Sequence, residues 1–308
     1  MTLRLAAAAI AIGCAVAVAG CGLGAGKGRS DVTLTVTHGF GSTEVASIMK
    51  SRVPGSETVM RMLQRSFRVS TRYGGGFVES INGLSGNSSR LDWFYYVNGI
   101  EASVGAAGTP VHDGDRIWWD LHDWSATESI PAVVGSFPEP FVHGSGGKRL
   151  PTTLQCASDV AASCNRVAGE LSSIGVPVAT QLFGTGSGTD SLGVLVGTWR
   201  DVRSALVASL IEGGPSASGV YARFADAGGT ALELLDPHGR VVRTLYAGAG
   251  LIAATAQGSA EPTWLITGTD PSGVAAAAAA LTPSQLHDRF ALAVQGGRAF
   301  AVPLQGSS

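Results

Sequence analysis

Trp93–Trp124, WFYYVNGIEASVGAAGTPVHDGDRIWWDLHDW, reads as two hairpin-forming strand pairs punctuated by turns. Asp92–Val97 leads into it and is dense in aromatic side chains, which suit a half-buried pleated surface. Asn98-Gly99 follows at once; both residues accept positive φ, so the pair signals a two-residue hairpin turn. Ile100–Val104 is then expected as the return strand and Gly105–Pro110 as a loop of small residues. Asp113-Gly114-Asp115 is a second turn, and Arg116–Leu121 another strand. Trp118 and Trp119 are adjacent, so a strand sends them to opposite faces. One is expected in a core. The other is expected under a flanking loop or in solvent, where an exposed tryptophan marks an interaction surface.

Upstream, Asp31–His38 alternates Val32, Leu34 and Val36 with Thr33, Thr35 and Thr37, which predicts a strand. Gly39–Val53 gives no clear pattern. Pro54-Gly55-Ser56 signals a helix start with Ser56 as N-cap, and Val59, Met62 and Leu63 follow at helical spacing. Met60 and Met62 are expected as core filler. Arg68–Arg72 and Phe77–Ile81 are short strand candidates around a glycine triplet. A strand, a helix and then antiparallel strands fit a β-grasp.

These motifs also carry a family resemblance. W-x-Y-x-V-N-G (Trp93, Tyr95, Val97, Asn98, Gly99) followed by G-D-R-I-W-W (Gly114–Trp119) resembles the small β-grasp domain at the C-terminus of transcobalamin and intrinsic factor. It is equally similar to the related domain of unknown function in many bacterial surface lipoproteins. The resemblance covers roughly residues 31–124 and implies a ligand-binding β-grasp. In the vertebrate members that domain helps enclose cobalamin beside an α/α-barrel. No barrel-like helical repeat occurs in this sequence, so a corrinoid would be held jointly with a separate helical-barrel protein and passed to an importer. The candidate ligand-binding residues are Trp93, Tyr95, Asn98, Asp115, Trp118, Trp119 and Trp124. They suit a flat, partly apolar ligand or a protein partner. Cobalamin is the ligand to test first, and no catalytic cofactor is implied.

The 308 residues suggest about two domains. Residues 1–21 are expected to be a targeting segment: Arg4, an apolar Leu5–Val18, then Val18-Ala19-Gly20-Cys21, which resembles a bacterial lipobox. Cys21 is the expected lipidation site, a diacylated anchor on the outer face of the cell membrane. Residues 22–30 are a small-residue tether, 31–125 the β-grasp-like domain and 126–150 a Pro/Gly-rich linker in which Phe137–Phe141 is expected to pack back on the first domain. Residues 151–308 are a separate α/β domain.

In that second half helices and strands alternate, which argues a mixed sheet with helices on its faces. Ser158–Ile174 and Asp201–Ile211 are expected helices. Asp270-Pro271 and Thr282-Pro283 each pair an N-cap with proline at the first turn. Strands are expected at Val176–Phe183, Leu192–Val196, Gly219–Phe224, Ala231–Leu235, Val241–Leu245, Leu251–Thr255, Thr263–Thr267, Phe290–Val294 and Arg298–Val302. The fold class is therefore α+β / α/β, a β-grasp-like domain followed by an α/β domain. Cys156 and Cys164 are either one disulfide, as export favours, or two buried thiols. Eight residues on one straight helix would separate their Cα atoms by about 12 Å, too far to bridge. A bridge therefore puts Cys156 in the loop before a helix containing Cys164.

Chemistry is sparse. Charged residues are 14% of the chain and the net charge is −2, which argues against non-specific nucleic-acid binding. Gly184-x-Gly186-x-Gly188 precedes an expected strand instead of a helix, the wrong context for a dinucleotide loop. Asp120 and His122 are two apart and share a strand face, where they could chelate a metal. The bland alternative sets these polar residues toward solvent, and no third ligand is fixed by spacing. There is no G-x-S-x-G elbow, and the six histidines are scattered. The expectation is a non-enzymatic ligand-binding or accessory lipoprotein. The alternatives are an envelope scaffold and an enzyme built on the α/β half.

Overall fold

The computed structural model describes residues 27–87, 89–184 and 190–305. The expected leader with Cys21, most of the tether, and Gly186 and Gly188 lie outside these residues. The fold is α+β with mixed sheets.

In the first half β1 (Val32–His38) pairs antiparallel with β2 (Thr43–Lys50), and helix α1 (Val59–Ser66) follows. A small hairpin sheet comes next, from β3 (Val69–Arg72), β4 (Phe77–Ile81) and β5 (Leu84–Ser85). β6 (Leu91–Val97), the two-residue β7 (Ile100–Glu101) and β8 (Arg116–Asp123) complete the main sheet, ordered β2-β1-β8-β6-β7. β1 and β8 are parallel neighbours at its centre, the topology of a β-grasp. Asn98 and Gly99 adopt φ of 55° and 77°, as the hairpin turn requires. The α1 N-cap is Thr58, whose Oγ1 accepts from Arg61 N; the expected Ser56 lies two residues early. β2 was not legible because it is an edge strand whose residues are exposed or half-buried, leaving no alternation to find.

The second half is built on a seven-stranded sheet. β9 (Thr152–Cys156), α2 (Ala161–Ser173), β10 (Val178–Gln181) and β11 (Leu192–Thr198) come first. Three short helices follow: α3 (Trp199–Val202), α4 (Leu206–Glu212) and α5 (Pro215–Ser218). The single helix expected over Asp201–Ile211 is thus interrupted, and Leu206 is exposed. β12 (Ala222–Phe224), β13 (Leu232–Leu235) and β14 (Val241–Leu245) form a separate antiparallel sheet. β15 (Gly250–Thr255), β16 (Thr263–Gly268), α6 (Pro271–Ala279), α7 (Pro283–Leu286), β17 (Ala291–Gln295) and β18 (Arg298–Val302) complete the chain. The large sheet runs β10-β9-β11-β16-β15-β17-β18, parallel from β10 to β16 and antiparallel beyond. The caps Asp270 and Thr282 accept from Gly273 N and Gln285 N, as their residue types require.

Cys156 and Cys164 form a disulfide with Cα atoms 6.0 Å apart. Cys156 ends β9 and Cys164 lies in α2, so the partner before the helix is the last residue of a strand instead of a loop residue.

Three apolar clusters hold the molecule together. Val32, Leu34, Val36, Ile117, Trp119 and Leu121 pack under α1 through Val59, Met60, Met62 and Leu63. Leu154, Val194, Val196, Trp264 and Ile266 pack under α2 and α6. The third cluster spans both halves: Phe40, Tyr96 and Trp118 meet Tyr221, Leu251 and Phe290, with Ile130 and Val133 between them. The Phe290 ring lies 5.2 Å from Phe40, 5.6 Å from Tyr96 and 5.1 Å from Trp118. Within residues 126–150, the stretch from Ile130 to Phe141 therefore forms a largely buried layer. Phe137 and Phe141 turn to Trp264, at 5.9 and 5.1 Å, in the second half and not the first. Backbone carbonyls of the same segment face the other way and accept from Arg116 and Asn98.

Candidate functional site

The β-grasp sheet sends Trp93, Tyr95, Ile117 and Trp119 to the α1 face and Phe94, Tyr96, Trp118, Asp120 and His122 to the other. Both faces are covered. Trp118 and Trp119 are each 3% exposed, so neither presents an open surface, and the second half is what covers Trp118. Trp93 and Tyr95 are buried under α1. Tyr95 stacks on Trp119 at 4.7 Å, and its hydroxyl engages Val104 O and Thr109 Oγ1. That tyrosine pins the loop after β7 from beneath.

Asn98 and Asp115 are sealed too. Asn98 Nδ2 donates to Asp115 Oδ1 at 3.0 Å and to Gly144 O at 2.8 Å, while its Oδ1 accepts from Arg116 N at 2.8 Å. Every hydrogen-bonding atom of that amide is engaged in tying the turn to the connecting segment. Asp115 accepts from His112 N at 2.7 Å, and burial still pushes its carboxyl up. Trp124 is half-buried and borders a hollow described below.

Asp120 and His122 pair with each other. His122 Nδ1 lies 2.9 Å from Asp120 Oδ2, so the nitrogen facing the carboxylate carries the proton. Asp120 also accepts from Phe40 N at 3.0 Å, Gly41 N at 2.9 Å and the Thr37 hydroxyl, which itself accepts from Trp118 Nε1 at 2.7 Å. The His122 ring is stacked between Phe40 at 4.6 Å and Phe94 at 4.4 Å. Neither residue faces solvent or an open coordination position; the pair is a satisfied buried network. Among the described residues no group of three His, Cys, Asp or Glu side chains is placed to hold a metal ion.

Three of the hollows among the described residues border one turn, the β15–β16 connection at Ala256–Glu261. One hollow of about 510 Å³ is shared by the two halves: Val97, Ile100, Glu101, Val104 and His112 on the β-grasp side, Ala260 and Glu261 on the other. A second, about 550 Å³, lies between Trp124–Ser129 and α5. The third, about 460 Å³, lies between α4 and the large sheet. Ala256 borders all three. These volumes are in the range of small-molecule sites. Two carboxylates line the first hollow. Burial pushes Glu101 up, against hydrogen bonds from Ser129 and Ile130 N and the nearby His122. Burial and the neighbouring Asp190 push Glu261 up, with Lys148 opposing. Val104 at the rim is 59% exposed.

Sequence reasoning found the strands under this cleft but missed Glu101, Val104, Glu261 and the turn itself, which meet only through tertiary packing. The expected return strand over Ile100–Val104 stops at Glu101, which leaves Val104 in the loop that follows.

Residues 56–123 match the family described as a domain of unknown function, DUF4430. No curated protein matches the chain. Among solved structures, the chain is 22% identical to a Ruminococcus gnavus ATCC 29149 protein described as a "putative metal binding protein". That likeness covers 31% of this chain and 98% of the other, with a TM-score of 0.27. The chain is 17% identical to haptocorrin, solved in complex with Cbi, over 30% of this chain and 25% of haptocorrin, with a TM-score of 0.25. Residues 56–123 are thus a segment similar to a family whose function is not known.

Proposed function

We propose that this chain is a membrane-anchored, extracytoplasmic lipoprotein that binds a small ligand without transforming it, in the cleft between its β-grasp and α/β halves. The observation that carries this reading is the 510 Å³ hollow whose walls come from both halves. It combines apolar side chains, Val97, Ile100 and Val104, with a few polar groups, Glu101, His112 and Glu261, the composition of a ligand site. Acylation at Cys21 supplies the anchor. The motifs of Trp93–Trp119 make a corrinoid such as cobalamin the first ligand class to test, captured alone or with a helical-barrel partner and delivered to an importer. The aromatic residues in those motifs do not line the cleft; Tyr95 supports its rim through the hydroxyl bond to Val104 O.

The test is a titration of the intact protein with cobalamin, followed by corrinoid absorbance and tryptophan fluorescence. Saturable binding, weakened about tenfold by Val104→Asp at the rim, is the expected result. No binding by the protein or by any partner that copurifies with it would overturn the corrinoid reading. One observation favours an envelope scaffold instead. Tyr73 and Phe77, 84% and 66% exposed, form an edge-to-face pair at the tip of the β3–β4 hairpin. Retention on cell wall without small-molecule affinity would select it.

A further inference from the structure

The second half carries a hollow that the corrinoid reading does not use. Its floor is the face of the large sheet that presents Gln155, Gly193, Leu195 and Thr263, and its roof is α4 with Val207 and Leu210. Gly193 contributes no side chain, so the floor drops to backbone there. Apolar residues stand at the mouth: Phe183 is 37% exposed and Leu206 56% exposed.

Gln155 is the polar group that matters. It is 8% exposed, on a strand whose neighbours are otherwise buried. Its Oε1 accepts from Gly184 N at 3.1 Å, and that donor fixes which way the amide points. With the oxygen held, the Nε2 group is left to the hollow, and no hydrogen bond from it exists among the described residues. The Nε2 atom stays open to the hollow, where water or a ligand reaches it. A ligand bearing an acceptor satisfies it. At the mouth, Glu261 and the adjacent Asp190 disfavour an anion. The aliphatic lining of Leu195, Val207 and Leu210 favours a chain over a second polar group.

We propose that this hollow binds a small neutral molecule with an aliphatic chain and one carbonyl acceptor, an acyl amide or ester, with the chain along Leu195, Val207 and Leu210 and the carbonyl oxygen on Gln155 Nε2. The hollow shares only the turn residues Ala256, Ala260 and Glu261 with the cleft between the halves, and its floor and roof are its own, so failure of corrinoid binding leaves the proposal standing.

The probe is octanamide, titrated into the intact protein by calorimetry. Saturable binding to one site is expected. Gln155→Leu, one bond shorter but of similar bulk, removes the donor and is expected to weaken it about threefold to tenfold. Ala260→Trp, on the exposed turn at the mouth, is expected to abolish it without touching the sheet. Absence of saturable heat with octanamide would overturn the proposal, as would equal affinity in Gln155→Leu or in Ala260→Trp. Octanoate, the same chain with a negative charge, is expected to bind more weakly; equal or tighter binding of the anion would equally overturn it.

Discussion

The two faces of the β-grasp sheet are both buried, by different means. One is covered by its own helix: Val36, Trp119 and Leu121 meet Met62 and Leu63, a contact of apolar side chains alone. The other is covered by the second half of the chain, and there Thr37, Asp120 and His122 are sealed in with Trp118, Phe94 and Tyr96. The first face is held by area removed from water. The second combines area with a hydrogen-bond network that has no solvent to fall back on. A polar residue in a strand therefore identifies the wet face only when nothing else in the chain comes to cover it.

Asp120 carries most of the difference between the two faces. Asp120→Ala leaves Thr37, Phe40 N, Gly41 N and His122 facing an apolar side chain. A loss of about 3–5 kcal/mol in urea unfolding is expected, as for a buried network missing one partner. A loss under about 1 kcal/mol would mean that water reaches this face and that the two faces do not differ as described.

The disulfide tests how far the second half depends on its own cross-link instead of on the shared core. Replacing Cys156 and Cys164 together by alanine is expected to cost about 2–3 kcal/mol, the entropy of closing a short loop. Unfolding confined to α2 and β9 in hydrogen exchange would sharpen the picture by showing that the shared core holds without them.

The smallest expected effect lies at the junction of the halves. Burial pushes Asp288 up to about 6, with Glu44 and Asp120 adding to the effect and His287 opposing it. Its folded pKa exceeds the unfolded value near 3.9, so its favourable contribution is present below about pH 4 and is lost as pH rises through 6. Asp288→Asn is therefore expected to gain roughly 1–3 kcal/mol relative to the parent between pH 4 and pH 7. Asparagine also suits the φ of 54° at this position. Parallel stability–pH curves for the two proteins would exclude a pH-dependent junction.

Local chemistry made much of the fold legible. Alternation marked β1, Asn98-Gly99 marked the β6–β7 turn, and Asp270-Pro271 and Thr282-Pro283 marked two helix starts. Elements that depend on long-range packing were not legible. β2 lacks a buried face, and the segment from Trp199 to Glu212 breaks where one amphipathic helix was expected. Phe137 and Phe141 find Trp264 over a hundred residues away. The candidate site divides in the same way. Trp93, Tyr95, Asn98 and Asp115 were visible because they build the frame, whereas the walls of the cleft belong to segments that only folding brings together. Gln155 was not legible either, because β9 stands where a loop before the helix was expected.

The core beneath Phe290 also constrains how the proposed cleft would admit a ligand. Many two-lobed binding proteins admit their ligands as a clamshell does, by swinging the lobes apart. Parting the halves here would wet Phe40, Tyr96, Trp118 and Phe290, at a cost on the order of 5–10 kcal/mol by side-chain transfer values. That is comparable to the whole stability of a domain. The turn from Gln257 to Ala260 is exposed, borders the hollows and lies outside that core. A ligand of the proposed sites would therefore pass this short exposed turn, with the shared core left closed.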